Sequence, residues 1–202
     1  VEAVTELCLV RHGQTDWNRL EIIQGREDNP LNALGRRQAE ESAAFLSQEQ
    51  WDLIVSSPLS RAVDTAKAIA TACEIDHEAI QLDERFIERE FGAASGKPVK
   101  GIYEAVQADD QERIPGLETE DEMRARVLDG MKDLVDTYPG KRIIVVCHSH
   151  AIKAALSAVD DTYTFRQAMR NACSNYINYR HGQFEVKAIN VADHITDSTM
   201  MK

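Results

Sequence analysis

The run Ile143-Ile144-Val145-Val146-Cys147 constrains this chain more than any other segment. A run this short, apolar and rich in β-branched side chains reads as a strand covered on both faces. Such a strand needs helices above and below it, and so belongs to an α/β sheet. It stops at His148-Ser149-His150, and an alanine-rich helical stretch follows. Leu7-Cys8-Leu9-Val10 repeats the pattern and stops at Arg11-His12-Gly13. Leu53-Ile54-Val55 is a third run, ending at Ser56-Ser57-Pro58. There Ser57 suits a helix cap and Pro58 a first turn, with the helix running through Ala72. Ile80-Gln81-Leu82 is a weaker strand candidate.

Helical patterns lie between these runs. Asn32, after the turn Asn29-Pro30-Leu31, can cap a helix with Leu34, Ala39, Ala43 and Leu46 on roughly one face. Thr119-Glu120-Asp121-Glu122 is a capping box, and Met123, Val127, Met131, Leu134 and Val135 recur behind it at helical spacing. Residues 92–118 are rich in glycine and proline, with a short helix expected near Ile102 to Gln107. Ala172 to Arg180 and Phe184 to Ile189 flank His181-Gly182-Gln183 as a late hairpin. From about Val191 no period remains. The alternation predicts an open, mainly parallel sheet with helices on both faces. No repeat or linker interrupts it, so the 202 residues read as one domain over 1–190 with a loose C-terminal tail over 191–202.

The formal net charge of -11 disfavours nucleic acid and anionic membranes as partners. A small anion could bind only where Arg and His gather locally. The cysteines Cys8, Cys73, Cys147 and Cys173 form no Cys-x-x-Cys pair and read as reduced, mostly buried thiols. The N-terminus carries Glu2 and Glu6, and no run approaches the ~20 apolar residues of a membrane span. Cytoplasm is therefore the expected compartment. A homodimer is left open.

Two apolar strands end in histidine, and open α/β sheets bind ligands outside the carboxyl ends of their strands. Were the two strands neighbours, the rings of His12 and His148 would share one pocket. Arg11 precedes the first ring, and Arg61 lies one turn into the helix after the 53–55 run. Guanidinium groups bind phosphate oxygens in pairs. Two of them with two imidazoles would form an anion cradle that needs no metal and no cofactor. A histidine attacks phosphorus as the neutral ring, with its other nitrogen held by an acceptor such as a backbone carbonyl. The second ring, if protonated, could stabilise the equatorial oxygens. Glu84, Glu88 and Glu90 are all candidates to protonate the leaving oxygen. His148-x-His150 also has the spacing of a metal pair, but His77, His181 and His194 lie in poor contexts for further ligands.

The segment Leu9-Val10-Arg11-His12-Gly13-Gln14-Thr15-Asp16-Trp17-Asn18 resembles the signature of the histidine phosphatase, or phosphoglycerate mutase-like, superfamily. Gln24-Gly25 with Pro30-Leu31-Asn32, Ser56 to Ala62, Glu88-Arg89-Glu90-Phe91-Gly92 and Val146-Cys147-His148 follow in that family's order. The resemblance implies a three-layer α/β/α sandwich with a mixed, mostly parallel sheet. It implies His12 as the phosphorylated nucleophile, Arg11, Arg61 and His148 as the phosphate pocket, and Glu88 as acid and base. Asn18 and the amide of Ser149 are the further phosphate contacts it suggests; Gln24 and Gly25 are further candidate substrate contacts, and Arg89, by its charge, could reach the far end of an anionic substrate or be a solvated cation. The substrate would be a small phosphorylated metabolite. Ser149 and His150 depart from the glycine common after the second histidine. The segment between Gly92 and Thr119 is shorter than the insertion of the classical mutases, which leans towards water as final acceptor. The likeness is greatest to the small bacterial broad-specificity phosphatases. A mutase, and a phospho-ligand-binding protein without turnover, are the alternatives.

Overall fold

The computed structural model describes residues 3–197 and the backbone of 200–201. Its strands are β1 (Thr5–Arg11), β2 (Leu53–Ser56), β3 (Gln81–Leu82), β4 (Arg142–Cys147), β5 (Met169–Arg170), β6 (Ser174–Arg180), β7 (Gln183–Val191) and β8 (Met200–Met201). Its helices are α1 (Asp16–Arg19), α2 (Ala33–Leu46), α3 (Ser60–Ala72), α4 (Tyr103–Gln107), α5 (Glu120–Thr137) and α6 (Ser149–Val159). One sheet runs β3-β2-β4-β1-β6-β7, and β5 pairs with β8 apart from it. β1, β2, β3 and β4 are parallel, while the β6–β7 hairpin adds an antiparallel edge. This is the mixed, mostly parallel α/β sheet expected from the strand pattern.

The central strands alternate between two cores, as a period of two requires. Leu7, Leu9, Ile143, Val145 and Cys147 pack with residues of α5 and α6. Cys8, Val10, Ile144 and Val146 pack with residues of α2 and α3. Arg11 lies opposite Cys147 in the β1–β4 register. His12 and His148 therefore leave the sheet side by side. Ile23, Phe91, Ala105, Val106, Ile114 and Leu117 form a third buried cluster. The segment 92–118 is thus a small packed cap rather than an open loop. The capping box at Thr119 forms, with the Thr119 side chain and Glu122 each bonding the other's backbone N–H.

Three local expectations are corrected. Helix α3 starts at Ser60 with Leu59 at the cap position, not at Ser57; the Ser57 hydroxyl accepts from Leu59 N at 3.3 Å in the turn before the helix and also meets His148 Nε2. The buried face of α2 is Gly35, Gln38, Ala39, Ser42, Ala43 and Leu46, since small and polar residues face the loop after β1. The chain past Val191 is packed as far as Asp197. Ala192 and Ile195 are buried, and Thr196 bonds Glu41 and Gln38 of α2. Such side-chain-to-backbone ties leave no hydrophobic period to read. Of the expected tail, 198–199 and 202 lie outside the described residues.

Candidate active site

His12 follows β1, and its backbone is tied on both sides. Its N–H donates to Cys147 O at 3.2 Å, and its carbonyl accepts from Ala172 N at 3.2 Å. The ring sits 2.6 Å, through Nδ1, from Gly13 O. A carbonyl can only accept, so Nδ1 carries the proton. Arg61 Nε donates to Nε2 at 3.3 Å. An arginine can only donate, so Nε2 presents its lone pair. Both contacts select the same neutral tautomer. Burial, then the charges of Arg61 and Arg11, hold this imidazole well below its usual range. The ring is therefore nucleophilic at Nε2.

The loop carrying His12 is clamped from α2 and α3. Gly13 N–H donates to Thr65 Oγ1 at 3.2 Å, and Thr65 in turn donates to Arg61 O. Gln14 N–H donates to Gln38 Oε1 at 2.9 Å. Bare backbone touches bare backbone here. A Cβ on Gly13 would stand 2.2 Å from Gly35 O, and one on Gly35 would stand 2.0 Å from Gln14 O. No side chain fits at either position, which lets the start of α2 press directly on the loop.

Around Nε2 lie the groups of an anion cradle. Arg61 is wholly buried. Its Nη1 and Nη2 donate to the carbonyls of Glu27 at 2.5 Å and Gly25 at 2.6 Å. Burial lowers its pKa to about 10, against the opposing pull of Glu88 and Asp28. It stays charged at neutral pH. Arg11 Nη1 donates to Met169 O at 2.8 Å. The ring of His148 stands 5.1 Å from that of His12, at 61°. Its Nε2 lies 2.7 Å from Ser57 Oγ. Burial, then Arg61, His12 and Arg11, hold it well below the usual imidazole range. A protonated second ring is therefore not the resting state, and an entering anion has to bring or stabilise that proton. Ser149 opens α6, so its N–H is among the first of the helix, which lack acceptors inside it. Arg11 Nε, His148 Nδ1 and Ser149 Oγ are buried and unpartnered. Each such orphan costs about 1–3 kcal/mol in a folded protein, a cost that a bound anion pairing with them would offset.

Of the three glutamates, Glu88 alone lines the cleft. Its Oε1 accepts from Arg89 N at 2.8 Å and its Oε2 from His150 N at 3.4 Å. Arg126 holds the turn beneath it, donating to the carbonyls of Arg85, Ile87 and Glu88 while paired with Glu118 at 2.7 Å. Glu84 is exposed, and Glu90 caps Gly92 N.

The cleft and the solvent at its open mouth together hold about 480 Å³ of space free of atoms. Arg11, His12, Asn18, Gln24, Gly25, Glu88 and Ser149 line its polar part. Ile22, Ile23, Phe91, Val99, Tyr103 and His150 line the rest. Asn18 Oδ1 and Gln24 Oε1 are both bonded to Thr15, and the Gly25 carbonyl holds Arg61. Arg61 and His148 stand behind this lining, reached through His12, and Arg89 does not line the cleft either, contrary to expectation. Its guanidinium is spent on Glu118 O at 2.8 Å, Asp109 at 2.5 Å and His150 Nδ1 at 3.5 Å. A buried guanidinium needs such partners, and they turn it into wall support. His148 and His150 do not form a metal pair, because one ring faces Ser57 and His12 and the other Phe91, Tyr103 and Phe165. Sequence reasoning passed over Ser57, Thr65, Gln38 and Arg126. Ser57 was accessible in principle, since it ends β2 as His148 ends β4; the others act from helix interiors at spacings that resemble packing.

A model of the histidine phosphatase superfamily (branch 1) matches residues 7–192. The chain belongs to this superfamily. Among its members, the "uncharacterized phosphatase PhoE" of Bacillus subtilis is 35% identical, covering 96% of this chain and 98% of the relative. The metal-independent phosphoserine phosphatase of Arabidopsis thaliana is 30% identical, over 96% of this chain and 84% of its own. A relative named probable phosphoglycerate mutase GpmB, from Salmonella choleraesuis, is 30% identical over 89% and 87%. The solved structure of a mycobacterial glucosyl-3-phosphoglycerate phosphatase superimposes with a TM-score of 0.82 at 26% identity, over 94% of this chain and 100% of that one. Phosphatase is the activity named for three of these four relatives and mutase for the other, and phosphatase agrees with the cradle around His12.

Proposed function

We propose that this chain is a metal-independent phosphomonoesterase that works in two steps through His12, on a small phosphorylated metabolite in the cytoplasm. His12 Nε2 attacks phosphorus in line, forming the N–P bond as the P–O bond to the alcohol breaks. Glu88 gives its proton to the departing oxygen. Water then attacks phosphorus, Glu88 takes the water's proton, and the N–P bond breaks to release phosphate. Arg11, Arg61 and His148 hold the three equatorial oxygens, and the Ser149 amide and Asn18 add hydrogen bonds. Fixed donors aimed at developing charge in a closed site account for most of such a rate enhancement.

The observation that carries this reading is the neutral His12 ring, with Nδ1–H tied to Gly13 O and Nε2 opposite Arg61. Hydrolysis of a phosphoester panel, with and without EDTA, tests it. Turnover unchanged by EDTA is expected, and turnover abolished by it would overturn the reading. The relatives named as mutases make isomerisation the second reading. 3-Phosphoglycerate, supplied with and without 2,3-bisphosphoglycerate, separates the two: phosphate release should exceed isomerisation, and the reverse result would favour the mutase.

A further inference from the structure

Beyond the cradle, the cleft is walled by apolar side chains and one polar ring, His150. We propose that His150 is a specificity-determining residue, donating a hydrogen bond from Nε2 to an acceptor oxygen on the leaving group, best met by a carboxylate. The assignment rests on the phosphatase reading above.

Two features set the donor. Arg89 Nη1 lies 3.5 Å from Nδ1, and a guanidinium can only donate, so Nδ1 accepts and the proton sits on Nε2. The ring is also locked in direction. Phe91, Phe165 and Tyr103 surround it edge-on, at 5.2, 5.7 and 6.4 Å between centroids. A donor fixed this way loses little entropy on binding. Its own backbone N–H contacts Glu88 Oε2 at 3.4 Å and both residues line the same cleft, so His150 stands next to the acid. The charge around it favours an anion. Lys153 comes from the same helix, Arg89 from the loop after β3 and Arg11 from β1; with burial, these three keep the ring neutral. Lys153 Nζ is itself buried and unpartnered. Against them, Glu88 lies on the cradle side, Asp109 is taken by Arg89, and Glu120 faces Lys153 and Tyr103. The Tyr103 hydroxyl is neutral, its pKa raised to about 12 mainly by burial.

The test compares two esters of similar shape, 3-methylbutyl phosphate and 3-phosphonooxypropanoate, which replaces the terminal isopropyl group by a carboxylate. The wild-type chain should favour the carboxylate ester in kcat/KM. His150→Phe fills the aromatic box without a donor and should cut that preference by about tenfold or more, the loss of one hydrogen bond to a charged group. His150→Gln restores an N–H and should keep most of it. A purely structural role would slow both esters alike and leave their ratio unmoved. Ratios equal within twofold in wild type, His150→Phe and His150→Gln would overturn the assignment. Dissociation constants of both esters on the His12→Ala background, with and without His150→Phe, give the same ratio without turnover. An intact ratio with no hydrolysis in wild type would overturn the phosphatase reading alone.

Discussion

Replacing Gly35 by alanine should damage this protein, although it sits inside a helix where alanine is the better helix former by about 1 kcal/mol. Gly35 occupies the first turn of α2, with ordinary negative φ. Its new Cβ would meet Gln14 O at 2.0 Å and the Gln14 C and N atoms at 2.9 Å. Ordinary contact begins at 3.4 Å, so helix and loop must part by about 1.4 Å. Both sides are backbone, and neither can swing away. Overpacking of this kind costs about 1–3 kcal/mol, and the rigid contact places it at the upper end. Subtracting the helix gain leaves a net loss of about 2 kcal/mol, a fall in Tm of roughly 4–8 °C for a domain of this size. The parting also pulls Gln14 N from Gln38 Oε1, now 2.9 Å apart, and tilts the loop that aims His12. A misplacement of about 1 Å at a reacting group costs on the order of a hundredfold in rate. Differential scanning calorimetry and aryl phosphate hydrolysis measure the two effects. A Gly35→Ala protein with unchanged or higher Tm and kcat within threefold of wild type would refute the reasoning.

The buried neutral histidines make stability depend on pH. His12, His148 and His150 all have imidazoles held well below their usual range, so the unfolded chain binds more protons below about pH 6.5 and stability falls as pH drops through that value. Urea unfolding at pH 7 and pH 5.5 should differ by on the order of 4 kcal/mol if all three rings stay neutral; a flat profile would show that they charge in the folded state. Arg126→Ala removes the three carbonyl contacts that hold the Glu88 turn. It should slow an alkyl phosphate at least tenfold more than p-nitrophenyl phosphate, whose leaving group needs no proton, and equal losses in kcat would contradict a proton-donor role for Glu88. Ser57→Ala strips His148 Nε2 of its partner and should lower kcat by about tenfold, in line with an unpaired buried imidazole, with Tm changed by only a few degrees.

The elements that carry the site were legible because each leaves a strong local trace. The runs before His12 and His148 are short and wholly apolar, and strands buried on both faces have no other way to look. That β1 and β4 are neighbours was not legible, since strand order is set by packing between distant segments. The register pairing Arg11 with Cys147 supplies the missing step, and with it the approach of the two rings. Arg61 was reachable from its place one turn into a helix. Arg89 was misplaced because a cation in a motif says nothing about which way it faces: its donors go to Glu118 O, Asp109 and His150, whereas those of Arg61 include one on His12 Nε2 itself. Glycine and proline made 92–118 look like loop, yet its apolar residues, spaced without period, collapse together into the cap that roofs the cleft. His150 was visible as a departure, but its role depends on Phe91, Tyr103 and Phe165, which converge on it from three separate segments.

The most direct measurement is the position of the phosphoryl group on the trapped enzyme. Rapid mixing with labelled substrate, a denaturing quench and phosphorus NMR of the digested peptide should find acid-labile, base-stable phosphate on Nε2 of His12, and none in His12→Ala. Phosphate on Nδ1, on another residue, or still present in that variant would contradict the account.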